Sequence, residues 1–255
     1  MTDQTTASVT EDSDRPLGGA VGNRMAELMH QLRTSSEKKQ LQLIAELASL
    51  GETGLEVLME FLTEQQSTPA TLAIGLAYQT LYQVNTPDVK AFVQSHFPTG
   101  VVPLNSEVGI DYLPLQQRLI LADFLAADRL TLEKLCELAG PAASARKWLY
   151  FSEVENFPIT DLQTLNNLWY IHSQGKFGFT VQRELWLSMG KNWEKLWPKI
   201  GWKTANNWTR YPNEFTWDLS APRGHLPLSN QLRGVRVIAS LLSHPAWTAT
   251  NQGVG

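Results

Sequence analysis

A single cysteine, Cys136, occurs in the 255 residues, so an internal disulfide is excluded and a reducing compartment fits the chain. Long apolar runs are missing as well; nothing approaches the roughly 20 residues that span a bilayer, which points to a soluble protein. The five histidines, His30, His96, His172, His225 and His244, are never three or four residues apart, so spacing signals no zinc or iron site. Neither a phosphate-binding glycine loop nor a GxSxG elbow occurs. No segment alternates long enough to form a sheet, and the fold class expected is all-α. Tryptophan is absent before Trp148, yet nine follow from there on.

What is present divides the chain in two. Residues 1–22 carry Asp3, Glu11, Asp12 and Asp14 against Arg15. They lack the apolar stretch of a secretory signal and are too acidic for a transit peptide, so a flexible polar tail is expected. Residues 23–97 read as short amphipathic helices, with Met25, Leu28, Met29 and Leu32 at helical spacing and Leu55, Leu58, Met59 and Leu62 repeating the pattern. Thr68 before Pro69 and Thr86 before Pro87 each place an N-cap oxygen ahead of a first-turn proline. The phrase LIAELASLGETGLEVLMEFL looks like a HEAT or armadillo unit; a small helical bundle fits it equally. Residues 98–109 hold prolines and glycines without a helical period and mark a linker.

A larger helical core is expected over 110–247, with 248–255 as a tail. Asp123 can cap a helix running from Phe124 to Ala139, where Gly140-Pro141 stops it. Thr160 or Asp161 opens the next helix, Thr180 another, and Val235, Ile238, Leu241 and Leu242 mark the last. From Gly201 to Pro227 little periodicity shows.

Catalytic signals are weak. Cys136 sits between leucines in a helix and reads as a buried inert thiol. His172, near a helix C-terminus, reads as a cation complementing the dipole. Glu153 and Glu155 read as surface acids. A non-enzymatic binding role is expected, centred on Trp186–Arg236. Between 176 and 236 stand ten Lys or Arg and four acids, a net of +6 that leaves −10 for the rest of the chain. A basic, aromatic segment on an acidic body fits a ligand that is flat, apolar in the middle and carboxylated at its rim. Trp186 and Trp197 fall on helical stripes and read as core. Trp208 and Tyr211 lie in the loop that could fold over such a ligand. Arg233 and Arg236, three apart on one helical face, could meet two carboxylates together. A protein-interaction scaffold gripping a peptide is the alternative, and a carbohydrate-binding or glycoside-cleaving domain using Glu153 or Asp218 is a third reading. Nucleic-acid binding is not expected from so local a charge.

Several longer phrases carry a resemblance: DYLPLQ (Asp111–Gln116), KLCELAG (Lys134–Gly140), WLYFSEVENFP (Trp148–Pro158), GKFGFTVQ (Gly175–Gln182), LWPKIGWK (Leu196–Lys203), FTWDLSAP (Phe215–Pro222), GHLPL and NQLRGVRV. Together they resemble the core of the genomes-uncoupled tetrapyrrole-binding family, the porphyrin-binding activators of magnesium chelatase. The likeness continues through SEKKQLQLIAELASLG into the N-terminal bundle, as in cyanobacterial members. The resemblance implies a cupped helical core that binds protoporphyrin IX and magnesium protoporphyrin IX. It also implies an accessory factor, without turnover or a required cofactor, that stimulates the large porphyrin-binding subunit of the chelatase in chlorophyll biosynthesis. A cytoplasmic monomer is implied, with peripheral association at the thylakoid membrane left open. Carried over residue by residue, Arg233 and Arg236 would pair with the propionates, and Phe151, Trp208 and Tyr211 would form the apolar wall. Tyr211 departs from members with Trp there; it keeps a flat ring and adds a hydroxyl.

Overall fold

Two hydrophobic cores are strung along the chain, each built by helices whose apolar stripes the sequence spells out. The computed structural model describes residues 17–229 and 234–248. The first core belongs to α1 (Leu17–Thr34), α2 (Glu37–Ser49), α3 (Glu52–Glu64), α4 (Leu72–Gln83) and α5 (Pro87–His96). Leu32, Leu43, Ile44, Leu47, Leu58 and Leu62 are its innermost side chains. Helices α2 and α3 touch backbone to backbone at Gly54, where an added Cβ would lie 1.9 Å from the Leu47 carbonyl oxygen. Gly54→Ala is therefore expected to pry α2 from α3. Overpacking of this kind costs about 1–3 kcal/mol, and the fall should appear as a lower denaturant midpoint in urea unfolding followed by circular dichroism.

The second core collects α6 (Leu113–Ile120), α7 (Phe124–Ala139), α8 (Pro141–Arg146), α9 (Phe151–Val154), α10 (Ile159–His172), α11 (Phe179–Ser188), α12 (Trp193–Lys199) and α13 (Arg236–Ser243), followed by a 3-10 turn at Pro245–Trp247. Helix α10 is its axis, packed against α4, α6, α11 and the closing turn. Its tryptophan Trp169 is fully buried, with Phe124 stacked on it at 5.9 Å. Among the described residues the fold is helical apart from one small addition in the aperiodic stretch: an antiparallel hairpin of β1 (Lys203–Thr204) and β2 (Asn207–Trp208), with Lys203 opposite Trp208.

That hairpin ends a ladder of indoles. Trp186 stacks on Trp193 at 4.8 Å, Trp193 on Trp197 at 5.2 Å, and Trp197 on Trp202 at 5.6 Å and 7°. Trp208 closes the series edge-on to Trp197 at 5.6 Å. Trp186 and Trp197 are core residues, as their helical spacing predicts.

Helix α4 docks the first unit onto the second. Gly75 lets the helices meet closely, since a Cβ there would lie 2.4 Å from Ile171 Cγ2. Gln79 Nε2 lies within 3.3–3.4 Å of the carbonyls of Leu119, Ile120 and His172, bringing a donor from α4 to the C-terminal ends of α6 and α10.

Several local expectations are corrected. Helix α1 begins at Leu17, inside the stretch expected as tail; the acids that argued for disorder all precede it. Thr68 does not cap α4: its hydroxyl donates to the Gln65 carbonyl, and Thr71 caps instead, accepting from Ile74 N at 3.3 Å. Helix α10 opens at Ile159, before both expected caps. Asp161 is fully buried and accepts from Tyr112 Oη at 2.8 Å and Glu107 N at 2.9 Å, which fastens the 98–109 stretch to α10. Helix α11 begins at Phe179, and Thr180 lies inside it; Asn166 of α10 accepts from Thr180 N at 2.9 Å, a cap supplied from another helix. His172 is 1% exposed, its ring nitrogens lack partners among the described residues, and burial pushes its pKa down to about 3. It is a neutral core residue, because desolvating the imidazolium costs more than the helix terminus returns. No helix among the described residues is long and apolar enough to cross a membrane.

Candidate ligand-binding site

Helix α7 supplies the floor. Asp123 fixes its start by accepting from Ala126 N at 3.2 Å, and Gly140, at φ 96°, ends it in a conformation that suits glycine. Asp128, Leu132 and Leu135 follow at i, i+4 and i+7 and share one face. After α8, Lys147 takes a left-handed φ of 61° and turns the chain, so that Trp148 and Leu149 run back beside α7. Leu228, Ser229 and α13 residues Val237 and Leu241 complete a narrow apolar crevice over Leu132 and Leu135. Its volume is about 30 Å³. Leu132 also lines an adjoining cavity of about 440 Å³ that reaches Arg129, Cys136 and Lys147.

Cations gather at the rim. The Arg236 guanidinium lies over the Phe151 ring at 5.4 Å, so α9 and α13 bring these two expected site residues together. Arg236 is also the first residue of α13, whose N-cap Val235 has no side-chain oxygen and whose first turn has no acid. Among the described residues no carboxylate pairs with Arg236. A cation here opposes the positive end of the helix dipole. Arg233 lies outside the described residues, so the expected shared helical face is not tested for the pair. Nearby, Arg146 sits over the rings of Trp148 at 4.9 Å and Tyr150 at 4.5 Å, and it pairs with Glu153. Glu153 is thereby a half-buried brace rather than a free surface acid, also accepting from Tyr150 N at 2.8 Å.

The other two aromatic candidates divide. Tyr211 is 49% exposed and reaches α7, where its hydroxyl accepts from Arg129 Nε at 3.3 Å. Trp208 turns away from the crevice into the indole ladder, half-buried beneath Lys203 Nζ at 5.5 Å. The base of this loop is pinned by His225: Nδ1 donates to the Ile200 carbonyl at 2.6 Å, and Nε2 accepts from Thr216 N at 3.2 Å. Burial lowers the His225 pKa, consistent with a neutral ring holding two opposite roles. Elsewhere the positive charge of the segment is partly met by its acids, in the pairs Arg223–Glu184, Lys203–Glu194 and Arg210–Glu214.

Cys136 is buried and its thiol pushed up by desolvation, as expected of an inert core sulfur. No group of three His, Cys, Asp or Glu side chains among the described residues is arranged to hold a metal ion. Asp128, Arg129, Trp148, Leu228 and Ser229 had not been singled out from the sequence as site residues. Of these, Trp148, inside WLYFSEVENFP, and Leu228, the last residue of GHLPL, carry a signal there.

With this geometry in hand, comparisons with known proteins agree on one lineage. A family model described as GUN4-like matches residues 105–245. The chain belongs to the GUN4-like family. A second model, the ARM-like repeat domain of the GUN4 N-terminus, matches residues 20–98 and accounts for the first unit. A Ycf53-like protein of Synechocystis is 56% identical over 229 residues, covering 89% of this chain and 98% of that protein. A chloroplastic tetrapyrrole-binding protein of Arabidopsis thaliana is 37% identical over 150 residues, covering 55% of this chain and 57% of that one. Among solved structures, GUN4 of Chlamydomonas reinhardtii aligns with a TM-score of 0.55 at 42% identity, covering 58% of this chain and 95% of that one. Ligand-free GUN4 of Arabidopsis thaliana aligns with 0.51 at 39%, covering 57% and 99%. The GUN4-like match spans α6 to α13 and so contains the whole crevice.

Proposed function

We propose that this GUN4-like chain binds a flat, carboxylated tetrapyrrole, protoporphyrin IX or its magnesium complex, across the face of α7 formed by the adjoining cavity of about 440 Å³ and the crevice beside Trp148–Leu149 and α13. The observation that carries the reading is Arg236. Among the described residues it is a cation at a helix N-terminus with no side-chain cap, held over Phe151 with no carboxylate partner. A ligand carboxylate would satisfy the guanidinium, the first N–H groups of α13 and the dipole at once. The apolar macrocycle would lie against Leu132, Leu149 and Phe151, and Arg129 with Lys147 offers positive charge toward the other side. The relatives named above, one of them a tetrapyrrole-binding protein, support this reading.

No step in the proposal asks the protein for chemistry. Its role is to shield an insoluble, light-sensitive macrocycle and pass it to or from magnesium chelatase, stimulating metal insertion through the large porphyrin-binding subunit. Titrating the full chain with deuteroporphyrin IX should shift the Soret band and quench tryptophan fluorescence with a saturable 1:1 isotherm. The same concentration of protein should raise the initial rate of magnesium insertion by the chelatase. A flat Soret spectrum would remove the reading and favour a peptide-gripping scaffold.

A further inference from the structure

One ionisable group under the crevice plays no part in the ligand contacts proposed above. Asp128 is 6% exposed and stands one turn before Leu132 on the floor of the site. Its Oδ1 accepts a hydrogen bond from the Leu228 N–H at 2.7 Å, a contact that joins α7 to a segment 100 residues away. Leu228 and Ser229 are one wall of the crevice, and the buried Ser229 hydroxyl has no partner among the described residues. Just before this wall, Leu226 and Pro227 are tied to the α11 side: the Leu226 carbonyl accepts from Gly178 N at 3.0 Å and the Pro227 carbonyl from Gln182 Nε2 at 2.8 Å. Past Pro227, the tether among the described residues is the bond to Asp128.

Two effects compete at this carboxyl. Exclusion of water favours the neutral form, and the Leu228 N–H favours the ionised one. Exclusion wins, pushing the carboxyl up to about 7. Among the described residues, Arg129, its neighbour on α7, is the charged group that acts on it, and it opposes the rise; the wall at Leu228–Ser229 brings no titratable side chain. A ligand seated against the wall would bring its own negative charges near Asp128 and close the remaining access of water to it. Both changes favour the protonated carboxyl.

We propose that Asp128 is a positioning residue for the Leu228–Ser229 wall and that its protonated form is the one that holds ligand, so binding near neutral pH takes up a proton. The inference rests on the carboxylated-tetrapyrrole reading. Its sign follows from linkage: the bound state holds the proton more tightly than the free state, so affinity falls as pH rises through neutrality.

Calorimetric titration of the full chain with deuteroporphyrin IX at pH 7, in buffers of different ionisation enthalpy, counts the protons exchanged. Ligand carboxylates contribute equally to parent and variant, so the difference isolates Asp128. The parent should take up several tenths of a proton more than Asp128→Asn, whose amide oxygen can still accept from Leu228 N. Parent affinity should fall about three- to tenfold between pH 6.5 and 8.5, within the tenfold-per-unit ceiling for a single site, while Asp128→Asn and the smaller neutral Asp128→Ser change less. Equal proton counts and parallel pH profiles in parent and both variants would overturn the coupling and leave the ligand reading intact. No Soret response from any of the three at any pH would overturn the ligand reading, and the coupling with it.

Discussion

Arg236→Ala is expected to weaken deuteroporphyrin IX binding by roughly tenfold or more while leaving the fold in place. A hydrogen bond to a charged group contributes about 1.5–3 kcal/mol, or roughly ten- to hundredfold in affinity. The exposed position of Arg236 puts the expectation at the lower end of that range. The fold should tolerate the change because two small terms offset. Removing a cation from the N-terminus of α13 relieves about 0.3–1 kcal/mol of opposition to the dipole, and losing the contact with Phe151 at 5.4 Å costs about 0.5–1 kcal/mol. Thermal unfolding of parent and variant should therefore nearly coincide. Replacing Arg233 as well should deepen the affinity loss. Arg236→Lys should fall between parent and alanine, since an ammonium keeps the charge but not the fork. Fluorescence quenching measures these affinities, and the dimethyl ester of the same porphyrin is the control: without free carboxylates it should bind parent and variant alike. Superimposable acid-porphyrin isotherms for parent and the double variant would show that neither arginine meets a carboxylate.

Trp197→Ala should produce the largest loss of stability. Trp197 is 2% exposed, stacked between Trp193 and Trp202 and met edge-on by Trp208. Truncating a buried tryptophan costs about 3–5 kcal/mol, because the transfer energy is lost and the space does not fully collapse. For a chain of this size each kcal/mol moves the midpoint by about 2–4 °C, so a fall of roughly 10 °C is expected in calorimetry. Near-UV circular dichroism should lose the signature of coupled indoles. Trp193→Ala, at a half-buried rung of the same ladder, should cost less. A loss below about 1 kcal/mol for Trp197→Ala would mean the ladder is not the core that its burial indicates.

The helices of both units were legible because helix formation is decided largely by neighbours three and four residues away. Asp123, the Thr86-Pro87 start and the Gly140 stop act within a turn, and the structure places all three at helix ends, although the Thr86 hydroxyl makes no capping bond and the proline alone marks that start. Thr68 failed as a cap because Thr71, also within reach of α4, offered a competing oxygen nearer the first apolar turn. Asn166, which serves α11 from α10, could not be read at all, since its partner lies 14 residues on and meets it only after the helices pack.

The candidate site shows the same division. Composition and the family resemblance marked Arg236, Phe151, Trp208 and Tyr211 as residues of interest. Their arrangement followed other rules: Phe151 joined Arg236 through the packing of α9 on α13, Tyr211 reached Arg129 across the loop, and Trp208 joined the ladder. Asp128 was hidden because a carboxylate in an amphipathic helix looks like any solvated acid until the Leu228 segment closes over it. By itself, then, the sequence determined a helical chain in two units, a non-uniform distribution of charge and aromatic rings, and membership of a family. Tertiary structure alone decided which ring meets Arg236, which cation has no carboxylate partner among the described residues and which acid is buried. Local propensity depends on adjacent residues, whereas desolvation and contact depend on surfaces that only folding brings together.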